Sequence, residues 1–296
     1  MKRTNRSQTK RPVARKLVAA AAVAAAALTT VAAPKPAQAQ EIQLTGPLAG
    51  AAPVKRLRQY REGRFDFTLG PGFTLLDEYK RTIFVSGRLQ YNLFEWLGIG
   101  VFGGFGAASL DTDLTEKIQE NAPRNSRTAV NLPAANGPNF NSQVGKLKWM
   151  AAPQVTFSPF RGKLAVFQKL FVDTDLYLHG GAAFVGVEER GNCGGTGEKR
   201  CTDPASFAAT SRVAVAPTFG LGLSFYLSNM ISANLEYRAF PFSYNRGGFD
   251  SRGSGPGADF PNPEGRIDSE DQTFKFNQMV FLGVGFHLPT TPKLSD

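Results

Sequence analysis

Residues 211–227 read SRVAVAPTFGLGLSFYL, and this stretch decides the fold. Val213, Val215, Phe219, Leu221, Leu223, Phe225 and Leu227 fall on every second position. Arg212, Ala214, Ala216, Thr218, Gly220, Gly222, Ser224 and Tyr226 lie between them. A period of two is a strand with one apolar face. The opposite face is made of small and polar residues, so the solvent that each face meets has to be settled.

The pattern recurs along the chain. Alternating segments are read at 64–73, 82–93, 96–108, 146–158, 172–187, 231–244 and 273–288, which with 211–227 makes eight candidate strands. The connections alternate too. Residues 92–95, 159–170 and 228–230 are the shorter ones; 109–145, 188–210 and 245–271 are long, polar and rich in Gly, Pro, Asn and charge, and 75–80 is short on the long-loop side. Short turns at one end and long loops at the other are how outer-membrane barrels are built.

Alternation alone fits a soluble barrel as well, with its apolar face inward. Two features favour lipid outside. The segments run to ten or more residues, enough for a tilted strand to cross the apolar core of a membrane. The other face is dominated by Gly, Ala, Ser and Thr with few charges, whereas a water-facing exterior carries far more Lys and Glu. Small residues suit the crowded inside of a narrow barrel. In lipid every strand N–H and C=O must be paired, so the barrel has to close. The fold expected is therefore all-β: an eight-stranded antiparallel up-and-down transmembrane β-barrel after a cleaved signal peptide. Aromatic girdles are expected at the strand ends, from Tyr91, Trp96, Trp149, Phe157, Tyr226, Tyr244 and Phe286.

The N-terminus supplies the export signal. Lys2, Arg3, Arg6, Lys10, Arg11, Arg15 and Lys16 precede an Ala-rich apolar run, 17–33, and then Ala37-Gln38-Ala39. That order is a secretory signal peptide with a small-x-small cleavage site. The expected organisation is a signal peptide over 1–39, a periplasmic lead-in over 40–62, the barrel over 63–289 and a C-terminal tail over 290–296, in the cell outer membrane. The formal charge of +10 belongs to the signal: residues 1–39 hold eight of the 34 Lys and Arg and no acid, leaving 26 basic against 24 acidic residues. Nucleic acid is therefore not an expected partner.

Cys193 and Cys201 sit in GNCGGTGEKRC, and in an exported protein such a pair is read as a disulfide pinning a loop. A metal site would need more ligands and no His lies nearby, so neither metal nor cofactor is expected. The glycines of GIGVFGGFG, 98–106, lack the Lys-Ser/Thr of a phosphate loop and read as close-packing positions.

On this topology the lumen face collects Arg64, Asp66, Arg88, Lys148, Asp173, Asp175, His179, Glu236, Arg238 and Lys275. The polar network expected to plug the barrel is Arg88, Asp173, Asp175, His179, Glu236, Arg238 and Lys275, because eight strands leave an interior about filled by side chains. The only histidines, His179 and His287, also fall on the lumen face. Neither is followed by the nearby Ser of the lipid A deacylase barrels, so no catalytic residues are assigned and the chain is not read as an enzyme. Basic residues at the periplasmic end, Lys55, Arg56, Arg58 and Arg61 in the lead-in and Arg161, Lys163 and Lys169 in a turn, are candidates for docking an envelope partner.

Three blocks resemble the myxobacterial-type outer-membrane β-barrel domain family. They are VKRLRQYREGRFDFTLGPGFTLLDEYKRTIFVSGRLQYNLFEWLGIGV from Val54, SPFRGKLAVFQKLFVDTDLYLHGGAAFVGVEE from Ser158, and the C-terminal strand. The resemblance spans most of 54–288 without the long loops, and it implies an eight-stranded outer-membrane barrel associated with envelope or motility machinery. The end of that strand, Gly283-Val-Gly-Phe-His-Leu288, is similar to the signal read by barrel-assembly machinery, although Phe281 replaces the usual polar residue and PTTPKLSD follows. The function expected is a structural or scaffold component of a cell-envelope assembly. The alternatives are a narrow pore for small solutes or ions and, third, an envelope-lipid-modifying enzyme. The expected partners are outer-membrane lipid, the assembly machinery and envelope proteins.

Overall fold

A computed structural model describes residues 60–121, 140–166, 170–250 and 265–290, without the side chains of 163–166 and 170–171. The expected signal peptide, most of the lead-in and most of the C-terminal tail lie outside the described residues. The strand read first is β6 (Ala209–Tyr226), and it has a neighbour on each side. The other wall strands are β1 (Phe65–Leu75), β2 (Lys80–Asn92), β3 (Leu97–Asp111), β4 (Lys146–Val166), β5 (Leu170–Arg190), β7 (Ile231–Ala239) and β10 (Gln278–Leu288). Each pairs antiparallel with the next, and β10 closes on β1 through Phe65↔Leu288 to Leu75↔Gln278. The wall is thus a closed eight-stranded barrel with no edge along the ring.

The alternation faces outward as its composition requires. Val213, Val215, Phe219 and Leu221 are exposed on β6, as are Leu69 on β1, Leu89 on β2, Val101 on β3, Val155 on β4 and Val284 on β10. A ring of large aliphatic and aromatic side chains facing outward would be unstable in water, and it is the surface a bilayer requires. This is a membrane-spanning barrel, and barrels of this build belong to the outer membrane. Its short-turn end, taken as periplasmic, carries aromatic contacts: Phe94–Trp96 at 5.8 Å, Trp96–Phe157 at 5.9 Å and Phe65–Tyr91 at 4.7 Å between ring centroids.

The small face of β6 makes room for its neighbour. Tyr177 and His179 on β5 lie opposite Gly222 and Gly220 in the ladder. A Cβ at Gly222 would stand 2.2 Å from Tyr177 Cζ and 2.4 Å from its hydroxyl, and one at Gly220 would meet His179 and the Tyr237 carbonyl. Large lumen side chains on one strand therefore need glycines on the next.

Three expectations about the strands are corrected. The segment 159–170 is mostly strand, since β4 and β5 run on to Val166↔Leu170. Along the way an extra residue of β4 between Phe157 and Phe160 shifts the face of that strand, and beyond it Val172 of β5 is buried rather than outward. The segments 231–244 and 273–288 are each broken. Pro241 has no N–H to continue the ladder, and beyond it β8 (Phe242–Tyr244) pairs only with β9 (Thr273–Lys275), apart from the barrel sheet.

The wall is uneven. The β5–β6 ladder reaches Arg190↔Ala209, whereas β7 leaves β6 at Phe219↔Ala239. The inner face of the tall side, with Leu147, Met150, Val185, Val187, Ala214 and Ala216, is covered by Phe240, Phe242 and Tyr244, all buried. Phe84, Phe102, Met279 and Phe281 continue this apolar packing down the lumen.

Candidate functional site

The chemistry-bearing side chains gather in the lumen, in two polar layers below the apolar one. In the middle layer Glu236 is fully buried at the centre of a cation cluster. Its Oε2 accepts from Arg88 Nη1 at 2.8 Å and from the Tyr177 hydroxyl at 2.9 Å. Its Oε1 accepts from Arg238 Nε at 3.1 Å and Nη2 at 2.5 Å, and His179 Nε2 stands 3.4 Å away. Arg238 also donates to Thr218 and Gln154, and Arg88 to Asn234. Both guanidiniums lie over aromatic faces, Arg88 4.6 Å from the Tyr177 centroid and Arg238 4.0 Å from that of Phe102.

The lower layer closes the short-turn mouth, and its central residue comes from the lead-in. Arg61 Nη1 donates to Ser158 Oγ at 3.0 Å and to Asp175 Oδ2 at 3.1 Å, while Nη2 reaches Asn92 and stands 3.6 Å from Asp66. Its backbone N–H donates to Glu95 at 2.8 Å. One side chain thereby ties together β1, β2, β4 and β5. Arg161 pairs with both Glu95 and Asp175. Arg64 donates to the carbonyls of Asn229 and Pro289.

Within this layer Asp66 Oδ1 lies 2.5 Å from His287 Nδ1, and His287 Nε2 lies 2.8 Å from Ser232 Oγ. This is the connectivity of a Ser–His–Asp relay. It is a consequence of register: Asp66 faces His287, and Ser232 faces Gly285 one pleat away. The three residues sit far apart in the sequence on three strands, so spacing alone could not pair them. Ser232 is fully buried, and Asn234 Nδ2 donates to its Oγ at 2.9 Å.

The structure brings together Arg88, His179, Glu236 and Arg238 in the middle layer and places Asp175 in the lower one. Asp173 is half-buried further out, opposite Tyr226 in the ladder. Lys275 does not enter the lumen: β9 turns away at Asn277, and its ammonium pairs with Glu78 at 2.8 Å on the exposed long-loop side. Lys148 is half exposed and pairs with Glu188 at 2.6 Å, because the ladder shifts between Leu147 and Trp149. Of the docking candidates, Lys55, Arg56 and Arg58 lie outside the described residues, and so do Lys169 and the side chain of Lys163. Arg61 and Arg161 are both engaged within the mouth instead of facing the periplasm. Two expected girdle residues also lie elsewhere: the Tyr226 ring lies 5.1 Å from that of His287 in the mouth, tilted against it, and Tyr244 is buried against Phe242.

The long-loop end forms a cap. Cys193 and Cys201 are joined as a disulfide, buried with Ile267. Arg190 lies over the Phe207 ring at 3.8 Å and donates to Gln143, Ser206 and the carbonyls of Cys201 and Gly248. Tyr79, Phe140 and Phe249 pack ring to ring. Burial raises the Asp77 carboxyl above the ordinary carboxylate range, although Arg246 Nη1 lies 4.0 Å away. These loops read as long and polar in the sequence; their described parts have a core of their own. Among the described residues, no three His, Cys, Asp or Glu side chains cluster as a metal site.

No protein-family model matches the chain, and no curated protein matches it. Among solved structures, the N-terminal β-barrel domain of OprF from Pseudomonas aeruginosa is similar over 77% of this chain and 98% of its own, at 9% identity and a TM-score of 0.39. OprG from the same organism matches over 79% of this chain and 99% of its own, at 9% identity and 0.37. Ail, the attachment invasion locus protein of Yersinia pestis, matches over 77% and 99%, at 11% identity and 0.30. The barrel assignment rests on this chain's own closed ladder and outward apolar face.

Proposed function

We propose that the protein is a structural anchor of the outer membrane, a scaffold component that holds a folded outer cap and a periplasmic lead-in at fixed positions within a cell-envelope assembly. One observation carries this reading: the lumen is filled in successive layers, by the Arg61 mouth, the Glu236 cluster and the Phe84–Phe102–Phe281 packing. A barrel so filled is a rigid peg. The ties between Arg61 and four strands support the lead-in as the part that is held in register for a partner. The resemblance to barrels of envelope and motility machinery points the same way.

The narrow-pore reading would have to pass the Arg61 and Glu236 layers, whose side chains are buried and paired across the lumen. Purified protein in planar bilayers is expected to give no large stable conductance, and such openings would overturn the anchor reading. Crosslinking of tagged protein in its native envelope is expected to recover a fixed set of envelope proteins. The enzyme reading has one observation in its favour, the Ser232–His287–Asp66 relay. The burial of Ser232 and the Asn234 bond to its Oγ make the relay a structural link between β1, β7 and β10.

A further inference from the structure

Gly220 and Gly222 answer to the side chains opposite them; Gly180 does not. A Cβ added at Gly180 would meet no atom closer than 4.0 Å, whereas one at the adjoining Gly181 would stand 2.1 Å from the Pro153 carbonyl oxygen. Gly180 faces outward, since its neighbour His179 is turned into the lumen. Glycine weakens a strand interior, and where packing does not require it, it marks a place that something else approaches closely.

Gly180 lines one end of a groove of about 510 Å³ in the outer wall, within the ~300–1,000 Å³ of small-molecule sites. One lining row follows the ladder across five strands: Phe65, Tyr91, Ile99, Val155 and Gly180 are successive partners. Leu89, Val101 and Pro153 line it from the next row. Two such rows lie about 6.7 Å apart along a strand, too close to admit a helix about 10 Å wide. Four strand spacings of about 4.8 Å make the row about 19 Å long. The row also climbs. Tyr91 adjoins Asn92 of the mouth layer, and Gly180 adjoins His179 of the middle layer. At a strand tilt of about 40° the rise is about 12 Å, most of one leaflet of a hydrocarbon core about 30 Å thick.

The groove belongs to the wall that meets lipid: Phe65, Leu89, Ile99, Val101 and Val155 are all exposed. At its lower end Tyr91 is one residue from the end of β2, and its ring lies 4.7 Å from that of Phe65. A phenol at this depth is placed to donate to the ester and phosphate oxygens of a lipid. We propose that the groove holds one acyl chain of a glycerophospholipid from the periplasmic leaflet, with its glycerol end beside Tyr91 and its chain running up to Gly180. A second barrel would press a convex wall against the groove without filling it. The site rests on the orientation of the barrel in the membrane and is independent of the anchor reading.

Native mass spectrometry tests this on the protein extracted in mild detergent from phosphatidylethanolamine–phosphatidylglycerol vesicles. The wild type is expected to retain one phospholipid, and Gly180→Leu, which fills the groove, to retain none. Val215→Leu, an equally exposed change away from the groove, should retain it. Tyr91→Phe should lower the retained fraction about fivefold, the loss of one hydrogen bond. Unheated gel mobility shows that each variant is folded. A second measurement needs no variant: phosphatidylethanolamine with a diazirine at the end of one acyl chain should crosslink to 153–155 and 178–182 of the wild type. A wild type carrying only detergent, a free fatty acid or a second copy of the chain overturns the proposal. So does equal retention in Gly180→Leu, or crosslinks spread evenly round the wall.

Discussion

Replacing Glu236 by Gln separates charge from packing in the lumen. Glu236 is fully buried and is the carboxylate within reach of both Arg88 and Arg238. The amide keeps the volume and one acceptor but removes the negative charge that both guanidiniums share. Breaking a buried ion pair costs about 3–5 kcal/mol, and with two guanidiniums affected we expect about 4 kcal/mol, roughly a thousandfold in the folding equilibrium. Arg88→Met runs the other way. It leaves Arg238 and Glu236 as a balanced pair and replaces one long side chain by another, so it is expected to cost only about 1–2 kcal/mol, mainly from lost hydrogen bonds. The assay is urea titration of the barrel in phospholipid vesicles. It is read by the mobility of unheated samples in gel electrophoresis and by the fluorescence of Trp96 and Trp149, the two tryptophans. If Glu236→Gln stays within about 1 kcal/mol of wild type, or Arg88→Met is as damaging, then charge balance does not govern this layer and the reasoning fails.

Other residues test other parts of the structure. Leu221→Arg places a charge on the lipid face and should cost about 2–4 kcal/mol in the same titration, while Leu221→Phe should be tolerated. Gly222→Val would drive a side chain into the Tyr177 ring and should destabilise the barrel by about 1–3 kcal/mol; a neutral result would mean that β5 and β6 are less tightly apposed than described. The disulfide closes a short loop, with a sequence separation of 8. Its removal by Cys193→Ser with Cys201→Ser should therefore cost the cap about 2–3 kcal/mol, seen as faster proteolytic nicking of the cap with the barrel still resistant. A fluorophosphonate probe should leave Ser232 unlabelled in the folded protein, whereas stoichiometric labelling there would revive the enzyme reading.

Much of this was legible in the residue order. A period of two is a local property, and a surface that must meet hydrocarbon leaves the same mark on every strand, so the closed eight-stranded wall could be read from alternation and connection length. The lumen cluster of Arg88, His179, Glu236 and Arg238 followed from the same parity. Where parity is interrupted the reading failed. Pro241 ends a ladder that the hydrophobic pattern carries past it, and this sends Phe240, Phe242 and Tyr244 into the lumen and Lys275 out to Glu78. The shift at Leu147/Trp149 turned Lys148 outward, and beyond the shift at Phe157/Phe160 Val172 lies inward.

The sequence by itself determined that strands alternate, that their apolar face meets lipid and that the two cysteines bridge, since each depends on near neighbours and on the solvent. Only the tertiary structure decided who meets whom across the lumen. Arg61 reaching Asp175, Glu236 shared by two arginines, and His287 lying between Asp66 and Ser232 all join residues from different strands. Their contacts depend on the register of ring closure and on side chains leaning over glycines of the next strand, and neither quantity is encoded in any one segment.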